Sequence, residues 1–389
     1  MKVATVVGAR PQFIKTALVS LELRKRGREI LIHTGQHYDA NMSANFFREL
    51  NIPQADYNLG IGSGTHGMQT GRMLEALEKV LLQEQPDWVV VYGDTNSTLA
   101  GALAAAKLHI PVAHVEAGLR SHNPAMPEEI NRKLKDHIST VLFCPSKGAV
   151  ENLKNEGFQN VLNNGELVDF ESIERMIREI PRPVVLNVGD VMYDILVRTI
   201  PRVKTLIPKL MSKYPIISGK YTLVTIHRAE NTDYRERLSG VVEALLGLDI
   251  TVIWPLHPRT KKRLLEFNLL GKLENASNII LLEPVGYGEL LVLAKNSRCI
   301  ITDSGGVQKE AYMLGVPCLT CRDKTEWAET VELGWNRIVG LGAARLQETF
   351  PFEDLPDWHP NWFGDGYAAR RIAWVLTKLR KSRGVYIND

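Results

Sequence analysis

Cysteine is scarce in this chain, 4 residues in 389, too few for a disulfide-stapled scaffold. Cys318 and Cys321 form one C-x-x-C pair, and no second pair completes a tetrahedral zinc site. The pair follows Gly315-Val316-Pro317 in an apolar run, so small buried hydrophobes are the expected role and no metal is expected. Long apolar runs are missing too. None approaches the roughly 20 residues that span a bilayer, and no charged leader precedes Val3-Ala4-Thr5-Val6-Val7. Neither a membrane span nor a signal peptide is expected, which makes the cytoplasm the expected compartment. An excess of one charge sign is also lacking. The net charge of +3 supplies no surface for nucleic acid or a membrane, so any affinity for anions must be local. The dinucleotide fingerprint G-x-G-x-x-G is absent. Gly60-Ile61-Gly62-Ser63-Gly64 has different spacing and no clear strand before it, and reads as a mobile loop. No cofactor is expected.

What is present is an alternating pattern long enough for two domains of roughly 150–200 residues. Short apolar runs at Val3–Val7, Ile30–His33, Trp88–Tyr92, Val112–Val115, Val141–Cys144 and Val184–Asn187 precede a second series. That series is Thr222–Ile226, Thr251–Trp254, Ile279–Leu282, Cys299–Thr302 and Pro317–Cys321. Strands so apolar are those covered by helices on both faces. Helical patterns such as Gln69–Glu84 and Leu99–Leu108 lie between them, which predicts α/β architecture with parallel doubly wound sheets. The pattern runs once up to about residue 187 and again from about 220, joined by a helical stretch within Asp190–Tyr214. Tyr367–Arg383 reads as a final helix. Val161-Leu162-Asn163-Asn164-Gly165-Glu166-Leu167-Val168-Asp169 is echoed by Val185-Leu186-Asn187-Val188-Gly189-Asp190-Val191-Met192-Tyr193-Asp194, a local partial duplication.

Ligands in open α/β sheets bind beyond the carboxyl ends of the strands, so the residues after each run carry the functional reading. Gly8-Ala9-Arg10-Pro11 follows the first, with the glycine suited to a tight turn and Pro11 to a first helical turn. Arg10 and Lys15 are then cations near a helix N-terminus, placed for phosphate or simply solvated. Asp94, in Gly93-Asp94-Thr95, either caps the following helix or faces a ligand. Glu116, in His114-Val115-Glu116-Ala117-Gly118-Leu119-Arg120, fits a cap less well. In Pro127-Glu128-Glu129-Ile130-Asn131-Arg132, Glu128 and Arg132 share one helix face, as a surface ion pair or as site residues. In the second half, His227-Arg228 follows one strand, and Asp303-Ser304-Gly305-Gly306-Val307-Gln308-Lys309-Glu310 follows another. A strand, two glycines and a helix make an anion seat. Glu310, farther into that helix, is within reach of ribose hydroxyls.

Taken in this order and spacing, these motifs, with Gly189-Asp190-Val191, resemble the non-hydrolysing UDP-N-acetylglucosamine 2-epimerase family over nearly the whole chain. The resemblance implies a glycosyltransferase-B-type fold: two Rossmann-like domains facing a deep cleft, residues 1–187 and 188–366, with a C-terminal helix within 367–389 crossing back to the first. It implies a homodimer acting on a UDP-sugar. It assigns Asp94, Glu116, Glu128 and His227 to catalysis. It assigns Arg10, Lys15, Arg132, His257, Ser304, Gly305, Gly306, Glu310 and Arg322 to binding. The family often has Glu where this chain has Gln12, and an extra segment of about 24 residues lies near 162–185. Thr325-Glu326-Trp327 with Gly334-Trp335-Asn336 resembles a branch that includes epimerases of UDP-diacetamido uronic acids. Gln36-His37 resembles a pair near which some members bind a regulatory UDP-sugar.

The C2 hydrogen of such a sugar is not acidic, since no adjacent carbonyl stabilises a carbanion. Expulsion of UDP from C1 with loss of the C2 proton avoids that difficulty. It gives a glycal, to which UDP adds back with protonation on the opposite face. Alternatives are a 2-epimerase of a UDP-2,3-diacetamido uronic acid, a hydrolysing epimerase that releases N-acetylmannosamine and UDP, and a glycosyltransferase of the same fold.

Overall fold

Apolar runs become two parallel sheets in a computed structural model that describes residues 1–36, 53–177, 180–203, 205, 214, 216–340, 343–350, 352 and 354–379. The first sheet contains β1 (Lys2–Val7), β2 (Arg28–His33), β3 (Tyr57–Asn58), β4 (Trp88–Tyr92), β5 (Val112–Val115), β6 (Val141–Cys144) and β7 (Val184–Asn187), ordered β3-β2-β1-β4-β5-β6-β7. The second contains β8 (Tyr221–Thr225), β9 (Thr251–Pro255), β10 (Ile279–Leu282), β11 (Cys299–Thr302), β12 (Cys318–Thr320) and β13 (Asn336–Ile338), ordered β10-β9-β8-β11-β12-β13. Both orders are of the Rossmann type. The chain divides into a unit of Met1–Ile195 with the segment from Trp362 onward, and a unit of Leu196–Asn361.

Side-chain alternation explains why the strands are apolar throughout. Trp88, Val90 and Tyr92 enter one core with Phe13 and Leu23, whereas Val89 and Val91 enter another with Met73, Leu77 and Leu81. In the second unit Val224, Trp254 and Ile301 face one core, and Leu223, Ile253 and Ile300 the other. β3 and β13, two and three residues long and partly exposed, carry too few apolar residues to have been predicted. β3 also corrects the expectation for the Gly60–Gly64 loop: a strand does precede it, and Gln69 Nε2 donates to the Gly62 carbonyl at 2.9 Å. The cysteines are free and buried, as the packing role requires. Among the described residues no helix is long and apolar enough to cross a membrane.

The helix Ala368–Lys378 belongs to the first unit and packs Ile372, Val375 and Leu376 into its core. Its N-terminus takes its cap from elsewhere in the sequence. Asp194 accepts from the Ala368 and Ala369 N–H groups at 3.1 and 2.8 Å, which satisfies two donors that Tyr367 leaves open. The Asp190 N–H donates to the Phe363 carbonyl at 2.9 Å, and Arg371 forms a fork with Asp365 at 2.6 and 2.7 Å. The Gly189-Asp190-Val191 motif therefore anchors the returning chain. The echoed segments adopt different structures: Val184–Asn187 is β7, whereas Leu162–Gly165 is a single 3-10 turn with Asn163 and Asn164 at φ of 50° and 51°. Bridges Val161–Val185 and Leu167–Asn187 join the two copies.

Candidate active site

Each sheet has one topological switch point, β1 beside β4 and β8 beside β11, where successive connections leave in opposite directions and a crevice opens at the carboxyl ends. Arg10, Lys15, Asp94, His227, Ser304, Gly305, Gly306 and Glu310 follow these strands, whereas Glu116, Glu128 and Arg132 come after β5, His257 after β9 and Arg322 after β12.

In the first unit Gly8 ends β1, but its role differs from the tight turn expected. Its φ is not positive. A methyl there would overlap Thr34 Oγ1 and Ser97 Oγ, so the glycine is required for space. Gln12 then joins β1 to β4. Its Oε1 accepts from the Gly8 and Ala9 N–H groups at 2.8 and 2.9 Å, and its Nε2 donates to the Tyr92 carbonyl and Thr98 Oγ1, both at 2.8 Å. A glutamate has no donor for the last two, which accounts for the amide at this position. Arg10 opens the helix Arg10–Arg24; its side chain lies outside the described residues, as does His37. Gln36 accepts from Ser97 Oγ at 2.6 Å.

Gly93, at φ 61°, turns the chain after β4 and presents Asp94. The helix cap is not Asp94 but Thr95, whose hydroxyl accepts from the Thr98 N–H at 3.4 Å. Asp94 Oδ2 instead receives Arg132 Nη2 at 2.6 Å and Nε at 3.0 Å, and its carbonyl receives Asn131 Nδ2 at 2.9 Å. Burial pushes the Asp94 carboxyl up, but Arg132, Lys135 and Lys15 outweigh it and hold its pKa below the ordinary value. Glu128, Asn131, Arg132 and Lys135 lie at i, i+3, i+4 and i+7 of the helix Pro127–Ile138, one stripe on one face. Glu128 is half-buried, one turn before Asn131 and Arg132 on that stripe. Its neighbour Glu129 has a different task. It is buried, accepts from Ser121 N and Oγ at 2.9 and 3.0 Å, and pairs with Arg132 at 3.1 Å.

Glu116 sits past β5 with φ of 73°, left-handed backbone that costs a non-glycine residue about 1 kcal/mol or more. Such strain persists where the side chain's position matters. Its carboxylate pairs with Lys15, so the lysine expected to face phosphate rests between Glu116 and the Gly93–Asp94 turn. Behind this lies a buried hub. Asp136 accepts from His114 Nδ1 at 2.6 Å, Arg120 Nη1 at 2.8 Å and the Gly118 N–H at 3.2 Å. Arg120 also forks onto Glu156 at 2.7 and 2.6 Å. Burial raises the Asp136 pKa, but His114, Lys135 and Arg120 prevail and hold it well below the carboxylate range.

In the second unit the β8 and β11 loops are stitched together by Asp303. Fully buried, it accepts from the His227 N–H at 3.0 Å, the Arg228 N–H at 2.9 Å and Asn231 Nδ2 at 2.9 Å. This holds His227 beside His257, with ring centroids 5.5 Å apart. His257 Nδ1 accepts from the Arg259 N–H at 3.2 Å, which leaves the proton on Nε2. Ser304 is the N-cap of the helix Gly305–Leu314, and the two glycines divide the work. A methyl on Gly305 would overlap Glu326 Oε1, whereas one on Gly306 meets nothing nearer than Ser304 Oγ at 3.9 Å. Gly306 alone leaves open space at the helix N-terminus, where N–H groups and the dipole favour an anion. Gly305→Ala is therefore expected to lower Tm by several degrees, and Gly306→Ala to leave Tm within about 2 °C; thermal denaturation of both variants checks this. Glu310 is buried and accepts from Tyr287 Oη at 3.0 Å. Arg322 pairs with Glu326 at 2.8 Å.

Sequence reasoning missed Lys135, Asp136, Asp303 and Tyr287 as site-supporting residues. For the first a signal existed: Lys135 shares the stripe of Glu128 and Arg132. Asp303 lay inside a quoted motif without a role.

Two Rossmann-type sheets in one chain, one with carboxylates and cations after its switch point and one with an open helix N-terminus after its own, define a two-unit α/β enzyme. The profile described as "UDP-N-acetylglucosamine 2-epimerase" matches residues 20–377. A UDP-N-acetylglucosamine 2-epimerase homolog of Methanococcus maripaludis is 49% identical, covering 97% of this chain and 100% of its own. The UDP-2,3-diacetamido-2,3-dideoxy-D-glucuronate 2-epimerase of Pseudomonas aeruginosa is 48% identical over 97% and 100%. The crystal structure of the Methanocaldococcus jannaschii UDP-GlcNAc 2-epimerase, in complex with UDP-GlcNAc and UDP, superposes with a TM-score of 0.84 at 45% identity, covering 97% of this chain and 99% of that one. The chain belongs to the UDP-N-acetylglucosamine 2-epimerase family and is an epimerase, hence an isomerase.

Proposed function

We propose that the enzyme interconverts UDP-N-acetylglucosamine and UDP-N-acetylmannosamine, without hydrolysis, through a glycal. The observation that carries the mechanism is Asp94, turned out after β4 and held ionised by the Arg132 fork, with Lys15 and Glu116 close enough to act on its charge. An ionised, oriented carboxylate is a base. Asp94 takes the proton from C2, the C–H electron pair forms the C1–C2 double bond, and the C1–oxygen bond breaks with its electrons leaving on UDP. Glu116 and Glu128 supply the acid that returns a proton to the opposite face of C2 as a diphosphate oxygen attacks C1.

The nucleotide end belongs to the second unit. Negative charge on departing diphosphate is met by His227 and the Gly306 end of the helix Gly305–Leu314. Glu310, oriented by Tyr287, takes the ribose, and His257 and Arg322 complete the binding set. The same reading includes a cytoplasmic homodimer, for which light scattering is expected to give twice the chain mass.

Product analysis tests the proposal. Incubation with UDP-N-acetylglucosamine is expected to yield its UDP-manno epimer and to reach the same ratio from either side. Free N-acetylmannosamine with UDP would overturn the non-hydrolysing mechanism. Because a relative that acts on a diacetamido glucuronate is as similar as the others, that UDP-sugar is the competitor assay. A kcat/KM there ten times higher would move the substrate.

A further inference from the structure

The carbonyl of Gly93 lies in the turn that presents the proposed base. Lys135 Nζ donates to it from the stripe that also carries Arg132, and His114 Nε2 lies 3.0 Å from it. Lys135 is fully buried, an expensive place for an ammonium unless its position is used. Resting on the epimerase reading, we propose that Lys135 is a positioning residue: its charged hydrogen bond to Gly93 fixes the turn that presents Asp94 to the sugar.

Lys135 also adds its charge to those that keep Asp94 and Asp136 ionised, but the hydrogen bond of its ammonium goes to the Gly93 carbonyl. Asp136 already receives Arg120, His114 and the Gly118 N–H. Asp94 already has the Arg132 fork. A charge-assisted bond is roughly twice as strong as a neutral one, and a displacement of about 1 Å at a reacting group can cost a hundredfold in rate. The groups facing Lys135 are Arg132 and Asp136 on its own helix, Asp94 after β4, and His114 and Glu116 of β5 and its end. Burial prevails over the two aspartates and brings the Lys135 pKa down to about 8. The ammonium is thus complete in weakly acidic solution and is lost as pH rises through about 8, so the clamp loosens on the alkaline side.

The test is the pH profile of kcat for wild type, Lys135→Met and Lys135→Arg, with UDP affinity and Tm measured on each. Wild type is expected to lose kcat above about pH 8. Lys135→Met is expected to lower kcat at least tenfold at pH 7 with KM within threefold and Tm no lower, since an unbranched apolar chain replaces a buried charge. Lys135→Arg is expected to carry the alkaline limb to higher pH. A kcat within threefold of wild type for the Met variant overturns the proposal, as does a wild-type profile flat from pH 7 to 10 or a limb unmoved in the Arg variant. If a variant does not fold, the wild-type profile decides. Wild-type enzyme that turns over no UDP-sugar contradicts the proposed function instead, which separates the two failures.

Discussion

Asp94→Asn lowers turnover at least a hundredfold while UDP affinity changes by less than threefold. The substitution keeps the shape of the side chain and removes its ability to take a proton, and general-base contributions are typically 10²–10⁴ in rate. Folding has little stake in the change. The helix Asn96–Lys107 is capped by Thr95, so no cap is lost, and Arg132 retains Glu129 at 3.1 Å. His227, Gly306 and Glu310, proposed to hold the nucleotide, are untouched. Steady-state kinetics with UDP titration calorimetry checks both halves. Near-normal turnover would remove Asp94 from the chemistry.

The second large effect is on stability. Asp136→Ala costs about 3–5 kcal/mol, the usual cost of stripping one partner from a buried charged network. The carboxylate is fully buried and receives donors from His114, Arg120 and Gly118; without it Arg120 keeps Glu156 and the Leu119 carbonyl but loses its buried counter-charge, and His114 loses the partner of its Nδ1. The sign of the pH dependence follows from its depressed pKa. The stabilisation is complete above the unfolded carboxyl pKa of about 4 and is lost as pH falls below it. Urea denaturation at pH 7 and about pH 2.5 tests this: the gap between wild type and variant narrows at the lower pH. An equal gap at both would place the cost in packing.

Most of the fold was legible because parallel strands buried on both faces announce themselves as apolar runs. Trp88–Tyr92 and Ile279–Leu282 match their predicted bounds. The edge strands escaped because two or three partly exposed residues give no period to read. The candidate carboxylates were legible as residues that follow strands, and the structure places them after β4 and β5 as that rule requires. Their supports were not, because hydrogen bonds over long sequence separation leave no local pattern. Gln12 reaches residues 80 and 86 positions away, and Asp303 reaches back more than seventy. The role of Gly189-Asp190-Val191 was likewise hidden, since its partner Phe363 comes after the whole second unit. The two glycines after Ser304 read alike in sequence, and only the packing of Glu326 separates them.

The central claim is that C2 exchanges its proton while UDP is off the sugar. The direct measurement is NMR of the purified protein with UDP-N-acetylglucosamine in heavy water. The account predicts the UDP-manno epimer with deuterium at C2, and deuterium appearing at C2 of the recovered starting sugar. Epimer formed with the original hydrogen retained at C2 would contradict it.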